Sequence, residues 1–278
     1  MLLDDKRTRP KHYVSLVFLL VAASAAIIPL YWMLVTAVQQ PTLTVTFPPE
    51  WFPSKPTWIN FERFLARPGV LRWTTNSLFV ALLVTGIQIM TSAMAGYAFA
   101  KKRFPGSNFL FYLYIASMMV PGQVTLVPLF MVMNSFGLQD TYPGLILPAI
   151  AGPFGVFLMK QFISTLPTEL IEAAIIDGCG EVQTFGRIIL PLAKPGLAVL
   201  GIFTFMGQWN EFLWPLIITN SANMRTLPVG LALLQEELPM QYGLLMAGAT
   251  YAAVPMIVIF FMFQRYFLKG ITVGALKG

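Results

Sequence analysis

Six stretches of this chain run for about twenty residues or more almost without charge, which is the length a helix needs to cross a hydrocarbon core. They lie near 13–38, 77–100, 109–133, 144–163, 196–218 and 243–267. In lipid, a lone strand or open loop cannot satisfy its backbone N–H and C=O groups, so each stretch is expected to be helical. Composition agrees: 56% of residues are hydrophobic, only 11% are charged and the mean hydropathy is +0.70. Soluble domains carry about 25% charged residues, so the chain is read as an all-α membrane protein with six transmembrane helices.

Prolines 29, 121, 128, 148, 153, 215 and 255 fall inside these stretches, where kinks are tolerated if neighbours satisfy the freed carbonyls. A cleavable signal peptide is a second reading of the first stretch, because "AASAA" at 22–26 resembles a cleavage site. The apolar run continues to Val38, however, well beyond a signal core of about 7–15 residues, and Asp4 and Asp5 weaken the basic start.

Basic residues give the direction. Of the 18 Lys and Arg, 13 fall on one side and 5 (Lys55, Arg63, Arg67, Arg72 and Arg225) on the other. The richer side is expected to be cytoplasmic, with both termini there. The net charge of +6 is then largely topological and calls for no nucleic-acid partner. The expected organisation is a cytoplasmic N-terminal segment at 1–12, a transmembrane domain at 13–268 with an extracytoplasmic loop at 39–75 and a cytoplasmic loop at 164–194, and a cytoplasmic tail at 269–278. "FPPEWFPSKPTWINFERFL" in the outer loop should be ordered, with a short amphipathic helix near Asn60–Ala66 and tryptophans at the lipid–water interface. Ser92, Gly96 and Ala100 repeat small residues every four positions, which lets membrane helices approach closely.

Enzymatic chemistry finds little support. Cys179 and His12 are the lone cysteine and histidine, so neither a disulfide nor a multi-cysteine or multi-histidine metal site can be built within the chain. The nucleotide-binding pattern G-x-x-x-x-G-K-[ST] is missing as well.

"PTELIEAAIIDGCGEVQTFGRIILPLAKPG" gathers carboxylates into an otherwise apolar chain. Pro167 suits a first helical turn, and Glu169 and Glu172 meet the positive end of its dipole. Gly178 can close that helix in a left-handed conformation. A second short helix is expected, with Val182, Phe185 and Ile189 on one face and Pro191 ending it. By itself this hairpin could be a solvated surface loop or a docking piece for another protein.

The segment closely resembles the EAA loop of bacterial ABC importer permeases, through Glu172, Ala173, Ala174, Asp177, Gly178, Phe185, Ile188, Leu190 and Pro191. Cys179 stands where alanine is usual. "NSL" at 76–78, "GYAFAKKRFPG" at 96–106, "VPLFMVMNSFGLQDTYPGLIL" at 127–147, "QWNEFLWPL" at 208–216 and the ending "KGITVGALKG" extend the resemblance to the maltose-type carbohydrate branch. It implies a non-catalytic permease subunit in a bacterial inner membrane, coupled through a helix-turn-helix to a cytoplasmic ATPase dimer. A second related permease, an extracytoplasmic solute-binding protein and a sugar or oligosaccharide cargo are the other implied partners. The chain itself would bind no cofactor; ATP and Mg belong to the ATPase. Small residues at Ala173 and Ala174 would allow close docking.

Glu211 is the one carboxylate clearly within an apolar stretch, and such groups are costly unless they serve a function. With Gln123, Gln208, Trp209, Asn210 and Trp214 it could line a carbohydrate path, polar groups meeting hydroxyls and rings meeting C–H faces. It could equally pair locally and shape the chain before Pro215. Met118 and Met119 are read as packing or lipid-facing residues. Other cargoes, such as glycerol-phosphate, stay open, although no Lys or Arg falls mid-stretch. An ion-coupled secondary transporter is a further alternative, but no matching halves are visible, and a non-catalytic membrane scaffold is another.

Overall fold

The computed structural model describes residues 9–41 and 50–275, and every regular element among them is helical. The basic N-terminal segment and most of the C-terminal tail lie outside the described side chains. The chain divides into two compact units. One runs to Pro68 and includes Leu231–Val254; the other holds Gly69–Gly230 and continues from Pro255.

In the first unit, α1 (Arg9–Ala37) keeps Pro29 within its length. Its exit is closed by α2 (Ile59–Leu65). The buried Asn60 donates its amide to the carbonyls of Ala37 (3.0 Å) and Gln39 (2.8 Å), which satisfies acceptors that a helix end leaves open. Trp32 and Trp51 meet edge to face at 5.4 Å. Trp51 and Trp58 stay exposed, as residues at a lipid–water boundary would.

The second unit is built on α3 (Val70–Lys101), 32 residues and so about 48 Å long at 1.5 Å per residue. After Gly106 come α4 (Ser107–Ala116), a 3-10 turn (Ser117–Met119) and α5 (Gly122–Ser135). Next are α6 (Tyr142–Ile146), a 3-10 turn (Leu147–Ala149) and α7 (Pro153–Ser164). The polar hairpin contains α8 (Glu169–Ile176), α9 (Glu181–Thr184), a π-turn (Phe185–Ile189) and α10 (Leu190–Leu192). It leads into α11 (Lys194–Trp209), α12 (Leu213–Ile218), α13 (Leu227–Glu237) and α14 (Tyr242–Ala275), the last two passing into or out of the first unit.

Among the described residues, three helices are long and apolar enough to cross a membrane unaided, and up to six spans result if each bent pair counts as one. The stretches expected as continuous helices at 109–133 and 144–163 are therefore broken. α4 and α5 meet at 101° across Pro121, and the α6 and α7 segments at 43° before Pro153. Proline removes an N–H and blocks the preceding turn, so each break sits at one. The stretch at 196–218 also stops at Trp209 and restarts at Leu213, so Glu211 lies in a gap and not on a continuous helix.

The freed carbonyls of the second break are taken up by side chains. Gln88 donates to Ala149, Thr91 to Ile150 (3.2 Å) and Tyr114 to Ala151 (3.0 Å). The small-residue stripe on α3 finds its neighbour in α7. A Cβ on Gly96 would stand 2.7 Å from that of Met159 and 2.8 Å from the Lys160 nitrogen, and Ser92 abuts Gly155. Tyr97, Met159, Ile163, Ile171, Ile189 and Leu200 form the core at this end.

Candidate functional site

Three of the chain breaks converge on one cavity of about 310 Å³. Gln123 enters from the Pro121–Gly122 break, Pro148 and Ala149 from the turn after α6, and Glu211 from the gap between α11 and α12. Irregular backbone at membrane depth is tolerated where it is buried in protein or lines a cavity, and these breaks obey that rule.

Of the six residues expected on a substrate path, Gln123, Gln208, Glu211 and Trp214 line this cavity. Trp209 and Asn210 do not. Trp209 is buried and stacks on Phe205 at 6.0 Å, while exposed Asn210 donates its amide to the Met206 carbonyl at 2.8 Å. A residue at the end of α11 turns about 100° from its neighbour, so adjacent positions in "QWNE" cannot all face one space. Glu211 accepts the backbone N–H of Trp214 (3.3 Å), and the Trp214 indole donates to the Gly144 carbonyl (2.9 Å). Glu211 thus shapes the local chain and also lines the cavity.

Glu211 is the single charged residue among the lining residues described; Lys and Arg do not occur there. Ser77 and Thr226 also line the cavity. The Ser77 hydroxyl accepts the Leu227 N–H (2.8 Å), and the buried Thr226 hydroxyl has no hydrogen-bond partner. Neither could be assigned from spacing, because they stand about 150 positions apart and meet only through tertiary folding.

The second candidate surface is the hairpin. α8 starts at Glu169 after Thr168, whose carbonyl accepts the N–H groups of Ile171 and Glu172; Pro167 lies just before the helix and not in its first turn. The helix closes with Gly178 at φ +81°. Gly178 N–H reaches the Ile175 carbonyl (3.0 Å) and Cys179 N–H the Ala174 carbonyl (2.9 Å), the paired bonds of a Schellman closure.

Burial sorts the expected docking residues. Glu172, Ala173, Asp177 and Gly178 are exposed, together with Ile176 at 85% and Val182 at 84%. Ala174 is turned inward beside Ile171, and Ile189 is also buried. The alanine pair therefore splits between two faces. Pro191 does not end the second helix. A π-turn from Phe185 widens the backbone ahead of it, with the Leu190 N–H bonding to the Phe185 carbonyl, so the proline ring is accommodated and the helix runs to Leu192. Val182 does not share the packed face of Phe185 and Ile189: it is exposed, whereas Ile189 is buried. Phe185 packs on Tyr97 at 5.6 Å, and Leu190 and Pro191 sit where the hairpin bends 77° into α11.

Comparison with known proteins decides the family. Residues 88–273 match the binding-protein-dependent transport system inner membrane component. The chain belongs to this family. It is 41% identical over 227 residues to the arabinooligosaccharides transport system permease protein AraQ of Halalkalibacterium halodurans, covering 81% of each chain. It is 36% identical over 266 residues to the probable ABC transporter permease protein YurM of Bacillus subtilis, covering 94% of this chain and 87% of the relative. It is 33% identical over 264 residues to the sn-glycerol-3-phosphate transport system permease protein UgpE of Yersinia pestis, covering 92% and 94%. Its fold matches a bacterial ABC transporter involved in alginate import with a TM-score of 0.85 at 20% identity, covering 96% of this chain and all of that one. This permease is thus a multi-pass membrane protein, as its apolar helices require.

Proposed function

We propose that this permease moves a neutral sugar or oligosaccharide inward across the cytoplasmic membrane as one subunit of an ABC importer. The observation that carries the cargo class is the cavity at the three breaks. Gln123, Gln208 and Glu211 offer hydrogen-bonding groups beside Trp214, with no basic side chain among the lining residues. Sugars present hydroxyls and flat C–H faces, which suit such a lining. A phosphate or uronate would meet only the Glu211 carboxylate, so the glycerol-phosphate cargo of one relative is disfavoured here.

The basic-residue bias places both termini and the 164–194 hairpin in the cytoplasm. There the exposed Glu172, Ala173, Asp177 and Gly178 face seats in a groove of a partner ATPase dimer, which binds ATP and Mg. Leu190 and Pro191 pass the displacement on at the bend into α11. A loaded solute-binding protein docks on the outer side, and a second, related permease completes the pathway. Access then alternates: ATPase closure opens the cavity outward to receive the sugar, and hydrolysis resets it. The chain acts as a non-catalytic subunit, and ATP hydrolysis belongs to the partner ATPase.

The test is reconstitution of the co-purifying complex in liposomes. Binding protein loaded with an arabino-oligosaccharide should stimulate ATP hydrolysis and sugar entry, and glycerol 3-phosphate should not. Uptake that follows a proton or sodium gradient without ATP would refute the importer reading.

A further inference from the structure

The hairpin is held at its entry and at its central turn by one helix that is not contiguous with it. Lys101, the last residue of α3, donates to the Leu166 carbonyl (2.6 Å) and the Thr168 hydroxyl (3.2 Å), just ahead of α8. Lys102 pairs with Glu181 at 2.5 Å, just behind the Schellman closure. The Tyr97 hydroxyl reaches the other Glu181 oxygen (3.3 Å), its ring lies against Phe185, and Lys102 stands 5.3 Å from its centre. Two adjacent lysines therefore hold the entry of the hairpin and the turn between α8 and α9.

The far end of the same helix is fixed as firmly. Asn76, fully buried, donates to the carbonyls of Asn223 (2.7 Å) and Arg225 (2.8 Å) and accepts from the Tyr142 hydroxyl (2.7 Å). Ser77 holds the Leu227 N–H and lines the cavity, as does Val80. Trp73 donates its indole N–H to Ala222 (3.1 Å). Between the two ends, α3 is one unbroken helix in which proline is absent, unlike the broken segments beside it.

We propose that α3 is a transmission rod: Lys101, Lys102, Glu181 and Tyr97 clamp the hairpin to it, and Asn76 and Ser77 carry its displacement to the 222–227 segment over the cavity. This rests on the reading of the hairpin as the ATPase dock. It adds a route beyond the spans that flank the hairpin directly, since α10 joins α11 through a 77° bend, whereas α3 is unbroken and held by side chains at each end. Lys102, Glu181 and Tyr97 are positioning residues; none touches cargo.

The test uses the intact complex in liposomes, with a fluorophore on Asn223→Cys in a Cys179→Ala background and ATP as the probe. In the parent, ATP should change the emission. Lys102→Glu places two carboxylates together and should cut that change about fivefold, the most that an exposed ion pair is expected to be worth. The swap Lys102→Glu with Glu181→Lys should restore it, which a merely structural lesion would not. If Lys102→Glu impairs assembly, Lys102→Met and Tyr97→Phe are measured and should lower the signal in the same direction. A single variant with parental signal, an unrescued swap, or an ATP-insensitive parent that nonetheless holds a working ATPase would each overturn the rod. Failure of the parent chain to retain any ATPase subunit would instead overturn the reading of the hairpin, so the two failures are distinct.

Discussion

Gly178 offers the sharpest test of the hairpin's role. It sits at φ +81° with nothing within 4 Å of where a Cβ would stand. A substitution there meets no clash, so its cost is backbone strain alone, about 1–2 kcal/mol for an L-residue in the left-handed region. The two bonds of the closure depend on that conformation, because they bring the Gly178 and Cys179 N–H groups back over the last turn of α8. A strained residue shifts the hairpin toward other conformations, and apparent affinity falls by the fraction still competent. At about 1.4 kcal/mol per tenfold, Gly178→Ala should weaken ATPase binding about 5- to 30-fold, and Gly178→Val at least as much. Gly178→Asn should lose much less, since asparagine visits this region readily. The assay titrates purified ATPase subunit onto the permease in nanodiscs and reads Kd, with thermal melting as a control for folding. Equal affinity for glycine, asparagine and valine at position 178 would refute the argument that this turn presents the dock.

Three further outcomes follow from the packing. Gly96→Leu should separate α3 from α7, where even a Cβ would stand 2.7–2.9 Å from Met159 and Lys160 atoms; overpacking of this kind costs about 1–3 kcal/mol, read as a lower melting temperature in detergent. Glu211→Gln should preserve sugar transport better than Glu211→Ala, because an amide oxygen can still accept the Trp214 N–H, and Glu211→Arg should be the variant that gains uptake of anionic sugars if the cavity sets cargo charge. Asp140 accepts the N–H groups of Asn220 (2.9 Å) and Ser221 (3.0 Å). Burial alone would raise its pKa, but the bonds from Ser221 and Asn220 outweigh it and hold the carboxyl below its usual 3.8. Its contribution to stability is therefore complete above pH 3.8 and is lost as pH falls through the lower, folded value. Melting of the parent should lose its margin over Asp140→Asn in that acid range, and a margin that is constant with pH would contradict the assignment.

How much of this was legible in the residues depended on the reach of each interaction. Gly178 was readable because a left-handed helix closure is a local property of one residue and its neighbours. The small-residue stripe of α3 announced a close neighbour, but only folding made that neighbour α7. Prolines 121, 153 and 215 marked positions where helices could bend; the sequence did not say that the bends at 101° and 43° would open onto the same space as the gap at Glu211. Trp209 and Asn210 stand apart from the cavity that Gln208 and Glu211 line, because a helix separates by angle neighbours that composition groups. Ala174 and Ala173 divide for the same reason, the first buried and the second exposed. Ser77 and Thr226 carried no local mark at all, since their part in the site depends on a bond across 150 residues.

The division of labour between unbroken and broken helices has a physical basis. A broken helix exposes carbonyls and N–H groups that must be satisfied, and the three breaks do this with side chains such as Gln88, Thr91, Tyr114 and Glu211, or by facing a cavity where a polar cargo can contribute. Such segments can change their bonding with little cost and so suit a site that must bind and release. An intact helix keeps every bond internal, and α3 therefore resists bending over its whole length. Placing the cavity on the former and the link between hairpin and outer segment on the latter keeps the site adaptable while the motion that controls it arrives undiminished.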